Sequence, residues 1–129
     1  HLFNQWVNIF EDPETTEYYK SLRDVSSAAI IASALYELNW YTKNQMYKEK
    51  ADKMIESLSK EPYRAEVGTN GGFLFKHSVG SLPHSHVRRV EKNDKSLGNI
   101  DVPLNYADYY FLEALIRKGR VEKGENPIK

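Results

Sequence analysis

The sequence predicts an all-α fold in which inner and outer helices alternate. Three observations carry that expectation. Residues 23–39 are apolar on nearly every side of a helix, residues 44–58 carry a single apolar stripe, and residues 103–118 are again apolar around most of the circumference. A helix with one stripe packs on one side and faces water on the other, whereas a helix apolar all round is covered on several sides. The order inner, outer, inner suits a helical toroid built from hairpins, and it equally suits a plain bundle.

Taken in order, Phe3, Trp6, Val7 and Phe10 fall at i, i+3, i+4, i+7 and would line one helical face until Glu11-Asp12-Pro13 ends it. Residues 15–19 fit either a helical turn or a loop. Residues 23–39 form the first inner helix, with Asp24 or Ser26 as its cap. Small residues such as Ala28, Ala29, Ala32 and Ser33 let a neighbouring helix approach closely. The outer helix, 44–58, shows Tyr47, Ala51, Met54, Ile55 and Leu58 on one side and a solvated charged face on the other. Pro62 and the glycine-rich run 68–72 mark turns, and a short extended segment near 72–79 follows. The second inner helix, 103–118, begins after Pro103 with Asn105 as cap and stops at Gly119. Residues 119–129 are polar and read as a flexible tail. The whole of 1–129 is expected to be one partial domain.

Composition narrows the function. Eighteen basic and eighteen acidic residues give a formal charge of zero, which argues against a nucleic-acid partner. No cysteine is present, so there is neither a disulfide framework nor thiolate chemistry. The longest apolar run, 28–35, falls well short of the ~18 residues of a membrane span, so no membrane partner is expected. The chain starts at His1 and shows no leader pattern, which suits a processed or truncated product.

Polar chemistry concentrates between 71 and 117. His77 closes the extended segment, where it can shuttle a proton or make a structural hydrogen bond. His84 and His86, with His77 and Asp101, match no zinc-site spacing, and no metal is assigned. Asp101 and Asp108 flank the last helix; Asp108 fits a first-turn carboxylate facing the helix dipole, or a residue that orients a site, better than a catalyst. Arg23-Asp24 fits a helix cap better than an anion site. The basic stretch 87–95 reads as a solvated loop.

Three strings carry more than their residues do singly: RDVSSAAIIASALYEL (23–38), GGFLFKHSVGSLP (71–83) and IDVPLNYADYYFLEALIR (100–117). In this order and spacing they resemble the C-terminal third of the unsaturated glucuronyl hydrolases, glycoside hydrolase family 88. The resemblance implies the C-terminal part of an (α/α)6 barrel. It implies removal of a Δ4,5-unsaturated glucuronic acid from lyase-generated, glycosaminoglycan-derived oligosaccharides, with no cofactor. In that chemistry an aspartic acid protonates the C4=C5 vinyl ether, water adds at C5, and the hemiketal collapses. The family's acid/base aspartates lie outside the matched part, so no catalytic residue is assigned here and the chain alone is expected to be inactive. On the substrate side the resemblance assigns His77, Ser78 and Ser81. The two serines fit a Ser-x-x-Ser-x-Lys pattern for sulfate, but Pro83 stands at the lysine position. Arg88, Arg89 or Lys92 in the following insert would then supply the charge. The expected partners are the oligosaccharide and the rest of the barrel, or a second copy if the chain is isolated. The compartment stays open between the cytoplasm and periplasm of a bacterium. Two other readings remain: an unsaturated rhamnogalacturonyl hydrolase of family 105, and a non-catalytic helical module that binds anionic glycans.

Overall fold

The computed structural model describes residues 13–94 and 96–128, without the side chains of 13–15, Val87 and Val90. The helix expected around Phe3 to Phe10 lies outside these residues. Among the described residues there are five α-helices and one short two-stranded sheet: α1 (Pro13–Ser21), α2 (Val25–Thr42), α3 (Gln45–Leu58), β1 (Ser78–Val79), α4 (Leu82–Lys92), β2 (Ile100–Val102) and α5 (Asn105–Glu122).

Helices α2 and α3 form a tight hairpin. Asp24 caps α2 by accepting from the Ser26 N–H at 3.1 Å. At the other end Lys43 takes a left-handed conformation (φ +56°) and donates its N–H to Asn39. Asn44 caps α3 at once by accepting from the Met46 N–H, and Asn39 Nδ2 bonds the Asn44 carbonyl. Two residues therefore reverse the chain.

The core lies where α2, α3 and α5 meet. It contains Val25, Ala29, Ala32 and Tyr36 of α2, Ala51, Ile55 and Leu58 of α3, Phe75, and Ala107, Phe111 and Ala114 of α5. Polar ties run between α2 and α5 in matching order: Ser33 donates to Glu113, and Arg117 reaches both Glu37 and the Ser33 carbonyl. These two helices therefore run parallel, side by side, as inner helices of a toroid do, with α3 as the outer helix. Tyr36 is fully buried, and its hydroxyl donates to Asp52 of α3, which also accepts from Lys48 and from Lys118 of α5.

The faces of α2 and α5 turned away from this core are bare. Ile30, Ile31, Leu38 and Tyr41 of α2 are exposed, and so are Tyr109, Leu112, Leu115 and Ile116 of α5, with Ile31 at 46% and Ile116 at 58%. Eight large apolar side chains on two parallel helices form a face of the kind that marks an interface rather than the ordinary scatter of surface leucines.

Three expectations are corrected. The stretch after Ser81, read as a loop, is helix α4 as far as Lys92. Its inward residues, Ser85, His86 and Arg89, are held by hydrogen bonds, so the sequence lacks the apolar period of a packed helix. The last helix does not stop at Gly119. It continues to Glu122, and the left-handed glycine after its end is Gly124 (φ +73°). Its N-terminus carries no side-chain cap, since the helix begins at Asn105 itself. Beyond the helix, Arg120 donates to the Pro127 carbonyl.

Candidate functional site

The candidate site is built on residues 73–81, which the fold secures from several directions. The extended part makes an antiparallel bridge between Arg64 and Phe75, with Ala65 N–H to the Leu74 carbonyl and Lys76 N–H to the Tyr63 carbonyl, both 2.9 Å. Phe75 is fully buried edge-on against Phe111 of α5, their centroids 4.7 Å apart. Strand β1 pairs antiparallel with β2, Ser78 opposite Val102 and Val79 opposite Ile100, with an irregular step between. Gly80 N–H then donates to the Asn99 carbonyl at 2.8 Å.

Two carboxylates tie this segment to the starts of the inner helices. Asp24 accepts from the Ser26 N–H and hydroxyl and from the Ser27 hydroxyl, and it also takes the Val79 N–H at 3.2 Å. Burial by itself would raise its pKa. The hydrogen bonds from Ser26, Ser27 and Val79 outweigh that and hold the carboxyl below its ordinary value. Asp108, in the first turn of α5, accepts the Leu74 N–H at 2.8 Å through Oδ2, while its buried Oδ1 has no partner among the described residues. Asp24 thus caps, and Asp108 orients the segment.

His77 and Asp101 are brought together. The His77 ring nitrogen Nδ1 lies 2.6 Å from Asp101 Oδ1, and the His77 carbonyl accepts the Val25 N–H at the start of α2. Ser78 is fully buried, and its Oγ is unpartnered among the described residues. Ser81 is exposed, and its carbonyl accepts the Ser85 N–H as α4 begins.

Of the three basic residues expected to contact a ligand, Arg88 and Lys92 are exposed on α4, one helical turn apart. Arg89 is turned inward: its guanidinium holds the Leu97 carbonyl at 2.7 Å and reaches the Ile100 carbonyl and the Tyr18 hydroxyl. His84 is exposed. His86 bonds the Tyr19 hydroxyl through Nδ1, with its pKa drawn down by burial and by the Arg89 charge. Ser85 had no part in the sequence reading, yet it is buried and its Oγ accepts the Asn99 N–H. Gly98 lies so close that an added Cβ would stand 2.4 Å from the Ser85 Cβ. The glycine next to a polar helix was the one available signal.

No family model matches the chain. It is 43% identical over 109 residues to an unsaturated glucuronyl hydrolase of Formosa agariphila, a match covering 84% of this chain and 24% of that protein. Its fold is similar to the crystal structure of an unsaturated glucuronyl hydrolase specific for heparin, with a TM-score of 0.65 and 39% identity, covering 91% of this chain and 28% of that one. The chain therefore spans about a quarter of the length of the relatives it matches. The expected fold holds: the parallel inner helices and the outer α3 are a fragment of an α/α barrel. Sequence and fold agree that this chain is a relative of the unsaturated glucuronyl hydrolases, matching one part of their length.

Proposed function

We infer that the chain is one part of a glycoside hydrolase that removes an unsaturated glucuronyl residue from lyase-generated oligosaccharides by hydrating its C4=C5 vinyl ether. The observation that carries this reading is the 43% identity to an enzyme of that name over most of the chain. The bare apolar faces of α2 and α5 support it, since inner helices of a barrel are covered by neighbouring hairpins. In this reading the remaining hairpins cover Ile31, Leu112 and Ile116 and bring the acid/base aspartates. This chain supplies a wall of the sugar pocket. His77 faces the sugar, Ser81 and the exposed Arg88 and Lys92 stand nearest any sulfate or carboxylate, and Ser78 shapes the wall from behind. Arg89 acts on architecture instead, because its donors already hold backbone carbonyls.

The test compares the 129-residue chain with a full-length protein that carries it, on unsaturated disaccharides from chondroitin, heparin and rhamnogalacturonan. Loss of the ultraviolet absorbance of the double bond reports turnover. We expect turnover of a glucuronyl disaccharide by the longer protein and none by the chain alone. Turnover of the rhamnogalacturonan product alone would transfer the chain to the other hydrolase class. Binding without turnover by any longer form would favour a glycan-binding module.

A further inference from the structure

His77 immediately precedes β1 and Asp101 is the unpaired residue of β2 between Ile100 and Val102, and both adopt the left-handed backbone region, at φ +63° and +59°. That region suits glycine and costs other residues about 1 kcal/mol or more each. Two such residues facing one another therefore sacrifice backbone stability for the placement of two side chains. The placement is specific: the imidazole Nδ1 and the carboxylate Oδ1 meet at 2.6 Å. A carboxylate only accepts hydrogen bonds, so Nδ1 carries the proton. The other ring nitrogen, Nε2, has no hydrogen-bond partner among the described residues, and the His77 side chain is 37% exposed. The pair is held firmly from behind. The Val25 N–H bonds the His77 carbonyl at 3.2 Å, and the Ser78–Val102 pairing lies one residue beyond each partner.

We propose that Asp101 is a positioning residue that fixes the His77 imidazole as its Nδ1–H tautomer and leaves Nε2 open to accept a hydrogen bond from a hydroxyl of the uronyl sugar. The proposal rests on the reading above that His77 faces the sugar. An imidazole whose second nitrogen is anchored to a carboxylate keeps one ring orientation and one tautomer, which is how such rings are prepared for a ligand.

Two variants and one control test it. Asp101→Gly removes the carboxylate at a backbone angle glycine adopts freely, and Asp101→Asn keeps the shape while offering the ring either a donor or an acceptor. Nitrogen-15 NMR of labelled histidines in a full-length protein that carries the chain reads the tautomer. We expect a single Nδ1–H form for His77 in the unaltered chain and averaging in both variants. In the full-length enzyme, KM for the unsaturated disaccharide should rise about tenfold in Asp101→Gly and less in Asp101→Asn, with kcat nearly constant, as loss of uniform substrate binding predicts. His77→Ala should raise KM at least as far. An unchanged tautomer in both variants overturns the proposal. So does a lost tautomer with unchanged KM while His77→Ala is impaired, because the bond would then only tie the strands. If His77→Ala itself leaves KM unchanged, the sugar-facing reading of His77 fails and the proposal falls with it; a tautomer that still responds to Asp101 would trace the failure to that reading.

Discussion

Replacing Asp24 with alanine should destabilise the chain far more than loss of an ordinary helix cap. A missing N-cap costs about 1 kcal/mol. Asp24 also takes the N–H of Val79, across fifty-five residues of chain, and two serine hydroxyls. Leaving a part-buried donor without an acceptor costs about 1–3 kcal/mol more. The expected loss is about 2–4 kcal/mol, or roughly 8–16 °C in Tm for a chain of this size. Asp24→Asn retains an acceptor at the cap but loses charge assistance, so it should cost about 1 kcal/mol. The pH dependence separates charge from packing. The folded-state pKa of Asp24 is depressed, so its ionic contribution is fully present above the ordinary 3.8 and is lost as pH falls through the lower folded value. The Asn variant has no such titration, so the two proteins should converge in stability on acidification. Chemical denaturation of the three proteins across acid pH is the assay. A loss below about 0.5 kcal/mol for Asp24→Ala, or a gap to Asp24→Asn that persists in acid, would refute the reasoning.

Four further predictions follow from the same geometry. Tyr36→Phe should cost about 1–2 kcal/mol by removing a buried bond to Asp52, measured by denaturant midpoint at constant slope. Although burial opposes it, bonding from Lys48, Tyr36 and Lys118 holds the Asp52 pKa at about 2, so the stability this carboxylate adds is complete above 3.8 and disappears as pH falls through about 2; calorimetry in the Asp52→Asn variant should show a flatter acid limb. Gly98→Ala should cost about 2–4 kcal/mol, because the new Cβ meets Ser85 at 2.4 Å and φ is +87°, whereas Gly124→Ala, with open space around it, should cost only about 1 kcal/mol. The isolated chain should self-associate as concentration rises, and Ile31→Glu with Ile116→Glu should suppress this without lowering Tm appreciably; a wild-type chain that sediments as a monomer at every concentration would count against an interface on α2 and α5.

The long helices were legible because their apolar periodicity is sustained over several turns. Asp24 and Asn44 are the capping residues in the structure, and residues 23–39 and 44–58 divide into inner and outer helices as their apolar patterns require. Helix α4 was hidden because its buried side is made of Ser85, His86 and Arg89, whose hydrogen bonds replace an apolar stripe. Gly119 misled because glycine stops a helix only where the chain must turn left-handed, and that requirement falls at Gly124. His77 stood out by residue type alone. Its partner did not, since Asp101 is twenty-four residues away and the contact depends on two backbone angles that sequence does not announce. Asp108 was expected at the helix start, but its bond to Leu74 is a tertiary contact invisible to local reading.

Residues 73–79 are attached to the first turns of both inner helices, through Val25, Asp24, Asp108 and the Phe75–Phe111 contact, while the far end of α2 lies an eighteen-residue helix away, roughly 27 Å. Mutational drift is therefore distributed unevenly along each helix. The hairpin around Lys43 can be exchanged or lengthened without retuning His77, whereas a change within one turn of Asp24 or Asp108 is transmitted to it. The same linkage offers a remote gauge of occupancy: a ligand that steadies His77 also steadies the Val25 amide, and slower hydrogen exchange there would register binding from inside the first inner helix.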